Sequence, residues 1–250
     1  MKDTGHYYDK DGKAVFEVPN KSKGGMRPTT LKDCKALGLF PSVTTIMKVL
    51  GNPELDRWKQ QQVLMASLTL PRKADESDEA YCARIIEDAF EQVSQAADLG
   101  TEIHAAFENC FQGLPYNSEM ETYLSPIKEW VAKHNVRFLK HELRLVNQEL
   151  GYAGTTDALI EADGILHVLD LKSRKTKPEH KITPYNKEPM QIAAYANIVG
   201  APRGVNLYIS TTEPGRIGEA WYDEETITKE FDAFKLVVKL WQHINKYQPK

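Results

Sequence analysis

The spacing of apolar positions divides the chain into a helical first half and a second half in which strands and helices alternate. Residues 1–40 read as irregular with one hairpin signal: Tyr7 and Tyr8, a turn at Asp11-Gly12, then residues 14–18 in extended alternation. Residues 21–28 read as a loop of Gly and Lys. From Pro41 onward Val43, Ile46, Met47 and Leu50 recur at helical spacing until Gly51-Asn52-Pro53 interrupts them, and a second helix runs through Leu55, Trp58 and Val63. Leu70-Pro71 and the charged stretch 72–79 make a break, with Ser77 placed to cap a segment that carries Tyr81, Ile85, Phe90 and Val93 toward Gly100. Ile103, Phe107 and Phe111 mark the buried face of a helix over residues 101–111, and residues 126–138 predict another.

There the period switches to 2. Strands are expected at 142–146, 152–161 and 165–171, with Asp163-Gly164 as the hairpin turn between the last two. Residues 175–188 form a basic, Pro-containing loop, 190–199 a helix ended by Gly200, 205–211 a strand, and 227–244 a helix with Phe231, Phe234, Val238 and Trp241 on one face. The chain shows no internal repeats. This order predicts an α/β fold with a central mixed β-sheet flanked by helices and a helical N-terminal extension.

At 250 residues with 41% hydrophobic and 27% charged content, the chain can bury a full core and is not disordered. A net charge of -3 excludes a wholesale polycation, so contact with nucleic acid has to come from a local patch. No apolar run approaches the roughly 20 residues that span a bilayer. The first residues lack the apolar stretch of a signal peptide, so a cytoplasmic, intracellular protein is expected, with an organelle matrix left open. Cys34, Cys82 and Cys110 are far apart and form no CxxC, which gives neither a disulfide framework nor a zinc set. An iron-sulfur cluster asks for about four thiolates, and none is expected here.

The chemistry starts from Asp170-Leu171-Lys172. Acid-x-Lys triplets occur four times in the chain, and by itself the triplet reads as an ion pair at a strand end. Its context differs from the other three: it closes the apolar strand ILHVLDL, where a charge is costly unless paired or metal-bound. Positions i and i+2 of a strand share a face about 7 Å apart, which puts Asp170 and Lys172 together. Asp157, a lone acid in GYAGTTDALIE, is brought beside Asp170 by the hairpin at Asp163-Gly164; the alternative for Asp157 is a turn or edge-strand acid. Two carboxylates plus a backbone carbonyl, that of Leu171, suit Mg²⁺ when a substrate phosphate supplies further ligands. His104 stands on a helix with Glu108 one turn on; it is either a packed core histidine or a ligand that shifts preference toward Mn²⁺. Glu142 opens the first strand of the sheet, as a solvated end or a further site acid. Gln191 and Tyr195 project from one helical face. Residues 171–187 hold Lys172, Arg174, Lys175, Lys177, Lys181 and Lys187 against Glu179, a net +5 beside -8 for the rest of the chain. Such a run is either a solvated face or the bed of a polyanion.

In order, His104, Glu142, Asp157, Asp170-Leu171-Lys172 and Gln191-Ile-Ala-Ala-Tyr195 resemble the motifs of the PD-(D/E)xK nucleases of the RecB-like branch. PSVTTIMKVL with ELDRWKQQ, residues 41–61, is similar to the mitochondrial genome maintenance exonucleases and their bacterial and phage relatives. The resemblance covers about residues 41–210. It implies a restriction-endonuclease-like core at 96–222, a hairpin and helical DNA-channelling extension at 1–95, and a C-terminal amphipathic helix packed on the core at 223–250. It implies a Mg²⁺- or Mn²⁺-dependent DNA exonuclease of replication, repair or recombination that prefers single-stranded ends. His104, Asp157 and Asp170 would bind metal and Lys172 would position the attacking water, while Gln191 and Tyr195 would organise the site or touch DNA. Trp58 and Lys59 would contact the strand by stacking and charge. Arg174, Lys175 and Lys177 would lie along its backbone. The chain lacks the cysteines with which several RecB-like nucleases hold a cluster, and it has no GxxxxGK[ST] phosphate loop, so a helicase or a recombination or single-strand-binding partner would be a separate protein. The other readings are a non-catalytic DNA-binding adaptor on a nuclease fold, a structure-specific endonuclease, and a metal phosphohydrolase acting on nucleotides.

Overall fold

A computed structural model describes residues 5–20 and 24–249, and within α4 the side chains outside residues 92–97. Part of the Gly and Lys loop, residues 21–23, and the side chain of Val93 lie outside the described residues. In chain order the elements are β1 (Tyr7–Tyr8), β2 (Glu17–Pro19), β3 (Met26–Pro28), α1 (Leu31–Leu37), β4 (Phe40–Pro41), α2 (Val43–Met47), α3 (Pro53–Thr69), α4 (Asp78–Phe111), α5 (Glu121–Lys133), β5 (Arg137–Asn147), β6 (Tyr152–Ala162), β7 (Ile165–Arg174), α6 (Glu188–Val199), β8 (Arg203–Ser210), β9 (Ile217–Tyr222) and α7 (Glu224–Asn245).

The architecture is α/β. One mixed sheet has the order β5-β6-β7-β8-β9, antiparallel throughout except for the parallel pair β7/β8, which α6 connects. The Asp163-Gly164 turn forms as its sequence requires, with both residues at positive φ (48° and 78°) and Ala162 opposite Ile165. Alternation along β7 sorts its side chains between two layers. Val168 packs with α2, α6 and α7, including Ile46, Ile192, Phe234 and Trp241, while Leu169 and Leu171 pack with Ile103, Phe107, Leu124 and Ile127 of α4 and α5.

Several expectations need correction. The irregular N-terminus contains α1, which Thr30 and Asp33 close with a reciprocal capping box and Gly38 ends at φ 66°. Its seven residues bury only Cys34, too short a stripe for periodicity to register. The supposed loop at 21–28 includes β3, paired with β2. Tyr7, Leu39, Val43, Ile46 and Met47 are buried in the main core, so the hairpin, α1 and α2 belong to it and only α3 with the first half of α4 projects as an arm. The segment after Ser77 does not stop at Gly100: α4 is one 34-residue helix, and it crosses the expected boundary at residue 95. α5 begins and ends five residues early, with Pro126 inside it, and β5 begins at Arg137. β9, a six-residue edge strand with mixed polarity, was not anticipated.

Candidate functional site

β6 and β7 are paired from the Ala162/Ile165 turn back to Ala158 opposite Leu169, and there the ladder ends. The next residues outward are Asp157 and Asp170, so both carboxylates stand at the mouth of a fork between diverging strands. The fork starts midway along the parallel pair, where Asp170 stands opposite Asn206, and opens toward the C-terminal end of β7. Side chains of β6 replace the missing backbone pairing: Thr156 Oγ1 donates to the Leu169 carbonyl (2.9 Å), and Asp157 Oδ2 accepts from the Leu171 amide (2.6 Å). A strand residue's amide and carbonyl leave on the same edge, so the Leu171 carbonyl also faces the fork.

His104 Nδ1 sits 3.2 Å from Asp157 Oδ1. Burial opposes charging the imidazole, but the hydrogen bond and charge of Asp157, with Asp170 behind, outweigh it and raise the His104 pKa. Gly100, one turn earlier, explains how α4 comes close enough. A Cβ there would lie 2.6 Å from Ser173 Oγ, so glycine, at a cost of about 1 kcal/mol in a helix, lets α4 lie against the end of β7.

Asp170 is buried and multiply held. Lys172 Nζ lies 2.6 Å from its Oδ2, Asn206 Nδ2 donates to Oδ2 (3.1 Å) and to the Asp170 carbonyl (3.3 Å), and Gln191 Nε2 donates to Oδ1 (3.4 Å). Burial pushes the Asp170 carboxyl up against the pull of Lys172, and the nearby Asp157 charge adds to the rise. For Lys172 burial acts downward, but Asp170 overrides it and the ammonium is held charged. Lys172 Nζ also donates to Gln191 Oε1 (3.1 Å), and Gln191 Nε2 to Tyr195 OH (3.3 Å). Tyr195 fits beneath β6 because residue 154 has no side chain: a Cβ on Gly154 would lie 2.5 Å from the ring.

The fold therefore gathers His104, Asp157, Asp170, Leu171, Lys172, Gln191 and Tyr195. It narrows or revises several of the sequence expectations. Tyr195 is 3% exposed and Gln191 is buried beside Asp170, a placement that suits the first of their two expected roles, organising the site. Arg174 is not a free backbone contact: its guanidinium pairs with Glu188, donates to the Thr183 carbonyl and lies between the rings of Tyr185 (3.7 Å) and Tyr208 (4.3 Å). Glu142 does not open its strand. It falls in the middle of β5, between the pairs His141/Ala158 and Leu143/Thr156, hence opposite Asp157 in register, exposed and at a strained φ of 41°. Glu108 turns away to accept from Gln112 (2.8 Å). Trp58 and Lys59 stand on α3, Trp58 partly exposed, outside the hydrogen bonds of the fork; Lys175 and Lys177 are exposed.

Sequence reading missed the support behind Asp170. Asn206 is fully buried and accepts from Tyr222 OH (2.8 Å); Tyr208 OH donates to Glu188 Oε2 (2.9 Å). A lone amide in the apolar strand VNLYIS and an acid opening α6 were the available signals.

Among the described residues, no three His, Cys, Asp or Glu side chains form a ready-made ligand cluster. The fit to a divalent cation is one of donor chemistry alone, an imidazole in contact with one carboxylate and a second carboxylate on the neighbouring strand, and such an ion would compete with the Lys172 ammonium for Asp170 Oδ2.

No protein-family model matches the chain, and no curated protein matches it. A solved structure titled "Crystal structure of SSO0001" is 16% identical, over 74% of this chain and 86% of that one, with a TM-score of 0.31, too low to carry an argument. No helix among the described residues is long and apolar enough to cross a membrane.

Proposed function

We propose that the protein is a metal-dependent deoxyribonuclease with a PD-(D/E)xK core, acting as an exonuclease on DNA ends. The observation that carries this reading is the fork: Asp157 and Asp170 at the end of the β6/β7 ladder, with His104 on the first and Lys172 on the second. His104, Asp157, Asp170 and the Leu171 carbonyl would hold Mg²⁺ or Mn²⁺, which when bound would polarise a phosphodiester and make hydroxide available near neutral pH.

The remaining steps belong to the chain. Lys172, kept charged by Asp170 and aimed by Gln191, offsets charge building on the phosphate and orients the attacking water. Asn206 and Gln191 fix Asp170 from two sides, so the carboxylate does not reorient during reaction. Lys175, Lys177 and Lys181 face solvent on the loop that follows β7 and would attract a polyanion, so binding should weaken as salt rises.

The test is cleavage of single-stranded DNA labelled at either end, by wild type, Asp170→Asn and Lys172→Ala, with Mg²⁺ or Mn²⁺. Strong loss in both variants is expected; equal cleavage by all three would falsify the assignment. Circular strands cut as readily as linear ones would replace exonuclease with endonuclease. The Lys172 ammonium on Asp170 favours a second reading, a non-catalytic DNA-binding adaptor. Calorimetric titration with Mn²⁺ separates the two, because the adaptor need not take up the ion.

A further inference from the structure

The basic loop between β7 and α6 is built on internal props. Arg216 donates to the carbonyls of Lys177 and His180, Thr212 Oγ1 to that of Thr176 (2.8 Å), and Arg174 to that of Thr183 (2.5 Å), while Lys187 reaches the Gly51 carbonyl at the start of α3. Two arginines are thus spent on shape, which leaves Lys175, Lys177 and Lys181 toward solvent with a single acid, Glu179, among them. On this shaped, cationic loop stands Tyr185, 66% exposed and the most exposed aromatic ring among the described residues.

Its exposure is not looseness. The Arg174 guanidinium lies 3.7 Å from the centre of one ring face, and the Tyr185 amide donates to Glu188 Oε2 (2.9 Å), so the ring is held flat from behind. The opposite face is open. Arg174 follows Lys172 at i+2 on β7, roughly 7 Å along the strand on the same side. An aromatic plane fixed in advance and flanked by lysines, on the loop that leaves the strand of the proposed reaction centre, is what an unstacked base needs, and rigidity spares the entropy of ordering a free side chain. An uncharged aromatic ligand would gain nothing from the lysines, and a duplex cannot present a base face without unstacking.

We infer that Tyr185 is a stacking platform for a base of single-stranded nucleic acid, and that it sets the preference for single strands over duplex. The inference rests on the nuclease reading and names the substrate class at the same site. It is tested by fluorescence anisotropy with labelled oligonucleotides in metal-free buffer, where strands stay intact. Tyr185→Leu should weaken single-strand binding about tenfold, Tyr185→Phe should restore it, and duplex binding should change little. An abasic scan supplies the readout that a merely structural role would not move. One abasic position should weaken wild type by a similar factor and leave Tyr185→Leu unaffected. Equal binding by wild type and Tyr185→Leu, or an abasic penalty that persists in the variant, overturns the inference while leaving the nuclease reading intact. Wild type that binds no oligonucleotide at any salt concentration overturns both.

Discussion

α3 and α6 are held in opposite ways. α6 buries seven of its twelve residues between the sheet and α7, and its Glu188, Gln191 and Tyr195 all bond to site residues or their supports. α3 is seventeen residues long and buries only Ala66; Leu64, Met65 and Leu68 face outward. Its partner is α4, reinforced by Tyr81 OH donating to the Leu70 carbonyl (3.1 Å) and by Arg84 on Glu76 (2.8 Å) in the connecting turn. The contrast separates two physical demands. The buried carboxylate is enclosed by hydrogen bonds that hold its direction, whereas the arm is left with few buried contacts and low local stability.

Substitutions in the enclosed region should have the largest effects. Asp157→Asn removes the negative charge beside His104 and leaves one acceptor oxygen where His104 and the Leu171 amide use two, and cleavage should fall at least about a hundredfold while circular dichroism stays native. Glu188→Ala leaves the Arg174 guanidinium, 10% exposed, without its carboxylate, and denaturant melts should show a loss of about 3 kcal/mol. A loss below about 1 kcal/mol would mean that the clamp under the basic loop is not structural. Gly154→Ala forces the Tyr195 ring to move and should cost about 1–3 kcal/mol, with a further loss of activity through Gln191. On the arm, Leu68→Gln should change global stability by no more than about 0.5 kcal/mol, because Leu68 has little to lose.

The arm should also respond to acid on its own. The Arg84 guanidinium beside Glu76, with the Lys73 amide, holds that carboxyl near 2, below its ordinary 4.5. A depressed carboxyl contributes above its unfolded value, and the contribution is lost as pH falls from 4.5 toward 2. Hydrogen exchange should show α3 losing protection through that window in wild type, while Glu76→Gln starts with less protection and changes little. Identical profiles would place the stability of the arm elsewhere.

Strong local signals carried most of the fold. The Asp163-Gly164 turn, Ser77 as a cap and the stop at Gly200 each follow from backbone chemistry that tertiary context does not override. The failures share a cause. Gly100 reads as a break because glycine is a poor helix former, and only the close approach of Ser173, far along the chain, shows why glycine is tolerated there. The juxtaposition of Asp157 and Asp170 was legible because lone charges in apolar strands are expensive and the hairpin fixes their register. Asn206 and Glu188 act through residues far along the chain and carried only a faint mark. Arg174 was misread because charge was counted without knowing which cations the fold consumes.

The central claim is that the β6/β7 fork binds a divalent cation between strands that no longer pair. Anomalous diffraction from a crystal soaked in manganese tests it directly. The account expects a peak within bonding reach of Asp157 and Asp170, with His104 turned onto it and the Lys172 ammonium displaced from Asp170. A fully soaked crystal in which Lys172 stays on Asp170 and no peak lies between the two aspartates would contradict it.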